Sequence, residues 1–351
     1  MISSLGKATR LFRERHVVDL SLTEEQHAVR KAFAAAFSKE CTPARVREVE
    51  SVGFDPQLWS VLHDMGAIDV GIPLADGGGG GGLVELALIA EEAGRVVAPI
   101  PLAEVAAAAR LSAAVGDRKL MASILGGDRL VSLHTRPGPV GNQLLVDGGV
   151  VDVMLVLDGD HLDAVDRPAD VQPVPNLGGL PFARWSGGAV RTMVSGPVAV
   201  SAFERACDEV RLLRAASLVG LAAESIQIGA AYARERSAFG ALIGTYQAVA
   251  HPLADAVTAN DGAQLLVRKA AWAMDEQLEM GSELAAMAFV FAAEVAYSAS
   301  QHSLHIHGGY GFMEEYDIQL YYRRAKAWAL AFADPSRELL TVADRRFGAT
   351  V

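Results

Sequence analysis

Apolar residues recur every three to four positions along the first third of the chain, which is the spacing of one buried face of an α-helix. Thr23 is a predicted N-cap, and helices are predicted over Phe54–Met65, Leu83–Arg95 and Leu102–Val115. Helical spacing returns from Ala202 to Gly348. Alanine and glycine are frequent in this last part, where small residues allow long helices to pack closely, as in a four-helix bundle.

From about Asp128 the pattern changes to an alternation of apolar and polar residues, which is typical of β-strands. The candidate strands, rich in β-branched residues, are Leu130–Leu133, Gln143–Val146, Val150–Leu157 and Ala189–Val194. The pattern therefore predicts a mainly α fold with a small β domain. We expect an N-terminal helical domain over residues 1–125, a reduced middle β domain over 126–200 and a C-terminal helical bundle over 201–351.

A first candidate binding segment runs from Arg236 to Gln247 and contains Phe239-Gly240. A guanidinium, an aromatic face and a side-chain amide are suited to holding a diphosphate and a flat ring. The same residues also fit a helix hairpin with an ordinary glycine stop and a solvated arginine. This segment alone leaves both interpretations open.

A second candidate segment is His305-Ile306-His307-Gly308-Gly309-Tyr310-Gly311-Phe312. Glycines let a backbone lie close to a ligand where a Cβ would clash. The two histidines could form a metal pair, but no third ligand stands nearby in the sequence, so no metal site is predicted.

Together, and in this order, the two segments resemble the signature of the acyl-CoA dehydrogenase family. They match Arg-x-x-Phe-Gly-x-x-Ile-x-x-x-Gln and Gln-x-x-Gly-Gly-x-Gly, with His305 in place of the usual Gln. The resemblance implies a middle β-barrel-like domain, a C-terminal four-helix bundle and FAD as cofactor. It implies that Arg236, Phe239 and Gln247 reach the flavin dinucleotide of a neighbouring subunit. The segment of His305, Ile306, His307, Gly308 and Gly309 would lie along the AMP half of FAD.

The resemblance also implies that this chain lacks the family's catalytic base. Acyl-CoA dehydrogenation needs a carboxylate that takes the α-proton while a hydride leaves the β-carbon for the flavin. The family carries this base at the position of Phe332 or at that of Val210, and both residues are apolar here. Glu209 should point about 100° away from Val210 around its helix, and Asp334 is suited to capping the next helix. No catalytic residue is therefore predicted.

The middle domain departs from the family as well. The family usually has Thr-Glu-Pro-x-x-Gly-Ser-Asp after its first strand, whereas this chain has Arg136 for the Glu and no Ser-Asp. The Trp-Ile-Thr strand that backs the flavin ring has no match, since Trp185 stands in another context. We therefore expect that the chain does not seat a flavin ring by itself.

These observations predict a subunit of a flavin-dependent acyl-CoA dehydrogenase that completes the FAD site of a larger catalytic subunit, in an α2β2 heterotetramer acting on an acyl-CoA. Similar unequal pairs serve actinobacterial steroid and lipid catabolism, and the resemblance is to their smaller subunit. Two alternatives remain: a non-enzymatic scaffold on the same fold, and a self-sufficient oxidoreductase with a relocated base such as Asp334.

Composition indicates which classes of partner and which cellular location to expect. The 351 residues carry a formal net charge of −11, which argues against a nucleic-acid partner. Two cysteines, Cys41 and Cys207, make no disulfide framework and fit a reducing compartment. We find no apolar run of transmembrane length, and Met1–His16 lacks the apolar core of a secretory signal. The expected location is the cytoplasm, with no membrane partner.

Overall fold

The N-terminal part of the protein is helical. The computed structural model describes residues 18–141 and 143–348, so the expectations for Met1–His16 lie outside the described residues. The helices are α1 (Glu24–Glu40), α2 (Pro43–Glu48), α3 (Pro56–Asp64), α4 (Leu83–Arg95), α5 (Leu102–Ala114) and α6 (Arg118–Leu125). Short 3₁₀ turns lie at Asp69–Gly71 and Leu74–Asp76. Thr23 caps α1 as predicted, because its hydroxyl accepts a hydrogen bond from the Gln26 backbone while the Gln26 side chain accepts one from the Thr23 backbone.

The middle part contains two small sheets. Its strands are β1 (Val131–Leu133), β2 (Leu144–Leu145), β3 (Val153–Asp158), β4 (His161–Asp166), β5 (Val171–Pro173), β6 (Ala183–Trp185) and β7 (Val190–Ser195). One sheet has the order β1-β3-β4-β7 and the other β2-β6-β5. Only the β1–β3 pair is parallel; every other pair of these strands is antiparallel. The sequence predicted four of these strands and missed β4, β5 and β6.

Strand β3 divides its side chains between two cores because successive residues of a strand point to opposite faces. Val153, Leu155 and Leu157 join the main core that runs through the helical parts. Met154 and Val156 join a separate cluster with residues of both sheets, including Trp185. The middle part therefore has its own small interior and also packs against the helices.

The C-terminal part is a bundle of long helices. They are α7 (Pro197–Glu235), α8 (Gln247–Asp275), α9 (Gly281–His307), α10 (Ile318–Phe332) and α11 (Pro335–Phe347). A two-residue-strand hairpin, β8 (Ser237–Ala238) and β9 (Ala241–Leu242), and a 3₁₀ turn at Ile243–Thr245 join α7 to α8, and a 3₁₀ turn at Gly308–Phe312 follows α9. Helices α7 and α9 pack against each other, and α8 and α10 each pack against both of them. The predicted fold class, mainly α with a small β region, is confirmed, while the boundaries at residues 125 and 200 stay a prediction.

Helix α7 is the central element, and its contact with α4 depends on two glycines. A Cβ at Gly220 would lie 1.8 Å from the Glu91 carbonyl oxygen, and one at Gly94 would lie 1.9 Å from the Ser217 carbonyl oxygen. The two helices therefore cross with their backbones in contact, which only glycine allows. This crossing fixes the N-terminal helices on the bundle.

Two helical segments are long and apolar enough to cross a membrane: α7, and Gly281–Phe312, which contains α9. The expectation that no run reaches that length was therefore wrong, because alanine-rich helices raise the mean hydropathy. The two apolar windows are 72% and 56% buried inside the fold. Such burial is typical of core helices in a bundle.

Candidate functional site

The first candidate segment forms a tight hairpin at the end of α7. Arg236 caps α7, and β8 pairs with β9 so that Ala238 faces Ala241. The two residues of the turn, Phe239 and Gly240, have φ angles of +53° and +82°. Positive φ at both positions defines a type I′ turn, whose twist matches a two-stranded hairpin. The sequence predicted a short turn here but not its strands.

Phe239 sits at the tip of this hairpin in a conformation that disfavours it. Its residue surface is 99% exposed, and a bulky residue at positive φ is a strained outlier. Such strain costs of order 1–3 kcal/mol and tends to persist at functional sites. An exposed aromatic held at this cost is suited to contact something outside the chain.

The hairpin is fixed to the start of α8. The Ile243 backbone N–H donates to the Arg236 carbonyl oxygen at 2.8 Å. The Tyr246 hydroxyl donates to the Ala238 carbonyl oxygen at 3.0 Å. Gln247, the first residue of α8, follows directly and is exposed. Arg236, Phe239 and Gln247 thus belong to one connected surface segment.

The second candidate segment turns sharply after α9. Gly308 has a φ of +60°, and a Cβ added to Gly308 or Gly309 would meet no atom within 4 Å. Gly311 differs, because a Cβ there would lie 2.5 Å from the Leu304 carbonyl oxygen. The first two glycines therefore present open backbone at the surface, whereas the third is required by packing inside the chain.

The three residues before these glycines have different environments. His305 is exposed, and Ile306 is half-buried against the core. His307 is buried; its Nδ1 lies 2.7 Å from the Ser303 carbonyl oxygen, to which it donates in the neutral tautomer. Burial lowers the pKa of His307. The His307 ring is thus directed into the protein. The predicted contact between His307 and FAD stays a prediction, and it concerns only the backbone of this residue.

Two aromatic contacts bring the candidate segments together. The Arg236 guanidinium lies over the Tyr310 ring, with Cζ 5.9 Å from the ring centroid. One turn earlier on α7, the Tyr232 ring stacks on His307 with centroids 4.1 Å apart. We call the Arg236–Gln247 hairpin segment and the His305–Phe312 turn the motif surface. The sequence assigned no role to Tyr232, although its position one helical turn before Arg236 puts both on one face of α7.

The motif surface fits a diphosphate-containing ligand. Within the described residues 18–141 and 143–348, no carboxylate forms an ion pair with Arg236, which is exposed. A guanidinium offers five N–H donors in a fork that matches phosphate oxygens. An unpaired arginine beside open glycine backbone is therefore an arrangement that an anionic group can approach without steric conflict.

The two positions where the resemblance places a base are buried and apolar. Val210 is fully buried, and Phe332 is 6% exposed. The Phe332 ring packs edge-on against Phe289, with centroids 5.0 Å apart. The Arg211 guanidinium lies over the Phe332 ring, with Cζ 5.1 Å from the ring centroid. A phenyl ring stands where a carboxylate would have to take a proton.

Arg211 is the centre of a saturated charge cluster, which we call the Arg211 cluster: Asp208, Arg211, Ser282, Glu338 and Arg345. Arg211 donates to Glu338 at 2.7 Å and to Asp208 at 2.5 Å. Asp208 also accepts from Ser282 and pairs with Arg345 at 2.8 Å. Burial acts to lower the pKa of Arg211, but the hydrogen bond and charge of Glu338 and the charge of Asp208 outweigh it and raise that pKa.

Part of this cluster lines a cavity of about 770 Å³ between the middle domain and the bundle. Thr135, Leu157 and Cys207 also line this cavity. The carboxylates nearest to the former base positions are already engaged by arginines. Within the described residues, the Asp208 carboxylate of this cavity is thus held by Arg211 and Arg345.

Glu209 and Asp334, the nearest alternative carboxylates in sequence, have structural roles. Glu209 is 3% exposed and accepts from Arg110 at 2.9 Å. This agrees with the prediction that it points away from the Val210 side. The Asp334 side chain accepts from the Ser336 backbone at 2.9 Å and caps α11, as predicted. Each carboxylate thus has a hydrogen-bonding partner within the chain.

In the middle domain, the side chains of Trp185 and His134 face the interior. Trp185 is fully buried in β6, and its indole N–H donates to the Gly148 carbonyl oxygen at 2.8 Å. His134, at the end of β1, is buried and pairs with Gln143 at 2.8 Å. The side chains of this domain fill its interior, and no aromatic face of Trp185 is left for a ring.

Comparison with known proteins now identifies the family. A model of the acyl-CoA dehydrogenase N-terminal domain matches residues 23–120, and one of the acyl-CoA dehydrogenase C-terminal domain matches residues 200–332. The chain belongs to the acyl-CoA dehydrogenase family. Members of this family are flavoproteins that oxidise acyl-CoA thioesters with FAD, so FAD is the cofactor of its chemistry.

Relatives within the acyl-CoA dehydrogenases share nearly the whole chain. Acyl-CoA dehydrogenase IpdE2 of Mycolicibacterium smegmatis is 29% identical over 322 residues, which cover 91% of this chain and 97% of the relative. The IpdE2 of Mycobacterium tuberculosis is 29% identical over 323 residues, with 90% of this chain and 95% of that protein covered.

Solved acyl-CoA dehydrogenase complexes have the same fold. A chain of the ChsE4–ChsE5 complex of Mycobacterium tuberculosis superposes with a TM-score of 0.84 at 25% identity, covering 95% of this chain and all of the other. A chain of the Tcur3481–Tcur3483 steroid acyl-CoA dehydrogenase superposes with a TM-score of 0.80 at 26% identity, covering 92% and 98%. The resemblance to heteromeric acyl-CoA dehydrogenases is thus confirmed.

Proposed function

We propose that this chain is a non-catalytic subunit of a heteromeric, FAD-dependent acyl-CoA dehydrogenase. It completes the FAD site of a larger catalytic subunit with the side chains of Arg236, Phe239 and Gln247 and the backbone of the His305–Gly309 segment. The partner supplies the base, the strands that seat the flavin ring and the acyl pocket. Two copies of each subunit form an α2β2 heterotetramer, active only when assembled.

One contrast carries this proposal: the motif surface is open, whereas both base positions are filled. Arg236 is exposed beside the open backbone of Gly308 and Gly309. Val210 and Phe332 are buried side chains without a proton acceptor. A chain that keeps the motif surface but has no carboxylate at either base position is suited to complete a site and not to catalyse by itself.

The substrate class follows from the relatives that this chain resembles. The matched complexes include one named as a steroid acyl-CoA dehydrogenase. We propose an acyl-CoA thioester with a bulky acyl group, such as a steroid side chain, as the substrate of the assembled enzyme. When bound, FAD would accept the hydride from the β-carbon of that substrate. The enzyme would act in the cytoplasm, without a membrane or nucleic-acid partner.

The two alternatives explain less of the structure. A scaffold has no use for a strained, exposed Phe239 next to an unpaired Arg236. A self-sufficient oxidoreductase needs a base, yet Asp334 caps α11 and Glu209 is paired with Arg110.

Flavin stoichiometry tests the proposal directly. The chain is purified alone and after co-expression with a candidate catalytic acyl-CoA dehydrogenase subunit from the same organism, and flavin absorbance is measured per protomer. The proposal predicts a colourless chain that is inactive on acyl-CoA substrates, and a yellow co-purifying complex. Stoichiometric flavin on the lone chain would refute it, as would a complex whose flavin content is unaffected by removing this subunit.

A further inference from the structure

Tyr310 lies directly beneath the arginine of the motif surface. The Arg236 Cζ is 5.9 Å from the Tyr310 ring centroid. Tyr310 is 44% exposed, so one part of its ring faces outward. The ring also stacks on Tyr316, with centroids 5.4 Å apart and planes inclined by 28°. Arg236 therefore rests on a ring that another ring holds in place.

The aromatic support continues into the interior of the protein. Tyr316 packs edge-on against Tyr232 at 6.5 Å and against His307 at 6.0 Å. Tyr232 and His307 stack on each other at 4.1 Å, and His307 is anchored to the Ser303 carbonyl. These contacts connect the exposed Tyr310 ring to the half-buried Tyr232 on α7 and to the buried His307 on α9. The Tyr310 ring is thus held from two helices.

An aromatic ring orients an arginine in a different way from a carboxylate. A carboxylate would orient the guanidinium, but it would neutralise its charge and occupy its N–H donors. A ring attracts the cation through its face and leaves the five N–H donors free. The ring also limits the rotamers of a long side chain, so less rotamer freedom is left to lose when a phosphate binds.

We propose that Tyr310 is a positioning residue for Arg236. Its ring preorganises the guanidinium beside the open Gly308–Gly309 backbone while leaving the donors of Arg236 for an external phosphate. This inference rests on the proposed function, since the phosphate belongs to the FAD of the assembled enzyme. Tyr310 acts through Arg236, and its own hydroxyl has no part in this role.

The test uses the co-expressed complex with three single variants of this chain, Tyr310→Leu, Tyr310→Phe and Arg236→Ala. A fourth variant combines Tyr310→Leu with Arg236→Ala. The flavin-depleted complex is titrated with FAD to obtain the dissociation constant. Tyr310→Leu should raise it about two- to fivefold, as expected for an exposed cation–π contact. Tyr310→Phe keeps the ring and should bind FAD as the wild type does. In the Arg236→Ala background, Tyr310→Leu should have no further effect.

A thermal double-mutant cycle on the lone chain is the second measurement, because it does not depend on FAD. Removing Tyr310 and Arg236 singly and together should show coupling between them. An unchanged FAD dissociation constant in Tyr310→Leu, or the same loss in Tyr310→Phe, would overturn the positioning role. So would a loss in Tyr310→Leu that persists in the Arg236→Ala background. If Arg236→Ala itself leaves FAD binding intact while the thermal coupling is present, the proposed function fails.

Discussion

The motif surface and the Arg211 cluster both contain an arginine near an aromatic ring, but their surroundings are opposite. Arg211 donates to Asp208 and Glu338, and its side chain is 13% exposed. Arg236 is exposed, and its contact across the motif surface is the ring of Tyr310. One arginine has its charge balanced inside the chain, whereas the other keeps its charge for a group outside it.

This difference separates residues that stabilise the fold from residues that are free to bind a ligand. A buried ion must be paired by the protein itself, because an unpaired buried charge is strongly destabilising. The two positions that carry a base in this family, those of Val210 and Phe332, are here part of the hydrophobic core. The motif surface keeps features that contribute little to stability, namely a strained Phe239 and open glycines. The comparison predicts that changes at the buried positions affect folding and changes on the motif surface affect ligand binding.

The largest stability loss is expected for Phe332→Ala. Removing a buried phenylalanine typically costs about 3–5 kcal/mol of the free energy of unfolding, and Phe332 packs against both Phe289 and Arg211. Denaturant unfolding measures the free energy of unfolding of this variant. The control is Leu330→Ala on the same helix, because Leu330 is 44% exposed and its removal should cost little. Equal, small losses in both variants would mean that the Phe332 site is not core.

Arg211→Ala should lower the free energy of unfolding by about 3 kcal/mol, since it leaves the Glu338 and Asp208 carboxylates without their main partner. The matched control is Arg129→Ala, which breaks the exposed pair with Asp166 and should change stability by less than about 1 kcal/mol. If the two losses were similar, the Arg211 cluster would be no more than a surface ion pair.

Phe239→Asn should stabilise the lone chain by about 1 kcal/mol, because Asn adopts positive φ more readily and type I′ turns favour Asn-Gly. The control is Phe312→Asn, which removes another exposed aromatic (71% exposed) without a positive φ. Thermal unfolding compares the two. Destabilisation by Phe239→Asn would show that the ring packs within its own chain and is not held out for a partner.

The smallest expected effect is a pH dependence carried by His307. Burial holds the pKa of His307 below its ordinary value of 6.5, so the folded state binds this proton less readily than the unfolded state. The stability from neutral His307 is therefore complete above about pH 6.5 and is lost as the pH falls from there towards the folded-state pKa. Unfolding as a function of pH should show a weaker acid loss in His307→Phe, and an identical slope would contradict this assignment.

Much of the fold could be predicted from local pattern. The change from helical to period-two spacing gave the order of helices, strands and helices, and the capping roles of Thr23 and Asp334 followed from short-range hydrogen bonding. Strands β5 and β6 were missed because three-residue segments carry too little periodicity. Strand β4 was missed because its inward positions include Asp163, which is buried and accepts from Thr192.

The candidate site was predictable only in part. Sequence spacing identified Arg236, Gly308 and Gly309, because these residues occur in recognisable motifs. The contact between Arg236 and Tyr310 depends on how α7 and α9 pack, and that packing joins residues more than 70 positions apart. For the same reason, the sequence could not assign the buried orientation of His307, which follows from its stack on Tyr232.

The central claim is that Arg236 binds the FAD of the assembled enzyme and does not stabilise the fold of its own chain. The most direct measurement is FAD content per complex for wild type, Arg236→Ala, Arg236→Lys and the neighbouring exposed control Arg234→Ala, with circular dichroism on each. Loss of a charge-assisted phosphate contact should weaken FAD binding by about 10- to 100-fold in Arg236→Ala. Lysine should restore only part of this, because it lacks the guanidinium fork, and Arg234→Ala should resemble wild type. Full FAD occupancy in Arg236→Ala, with only a small drop in melting temperature, would contradict the account.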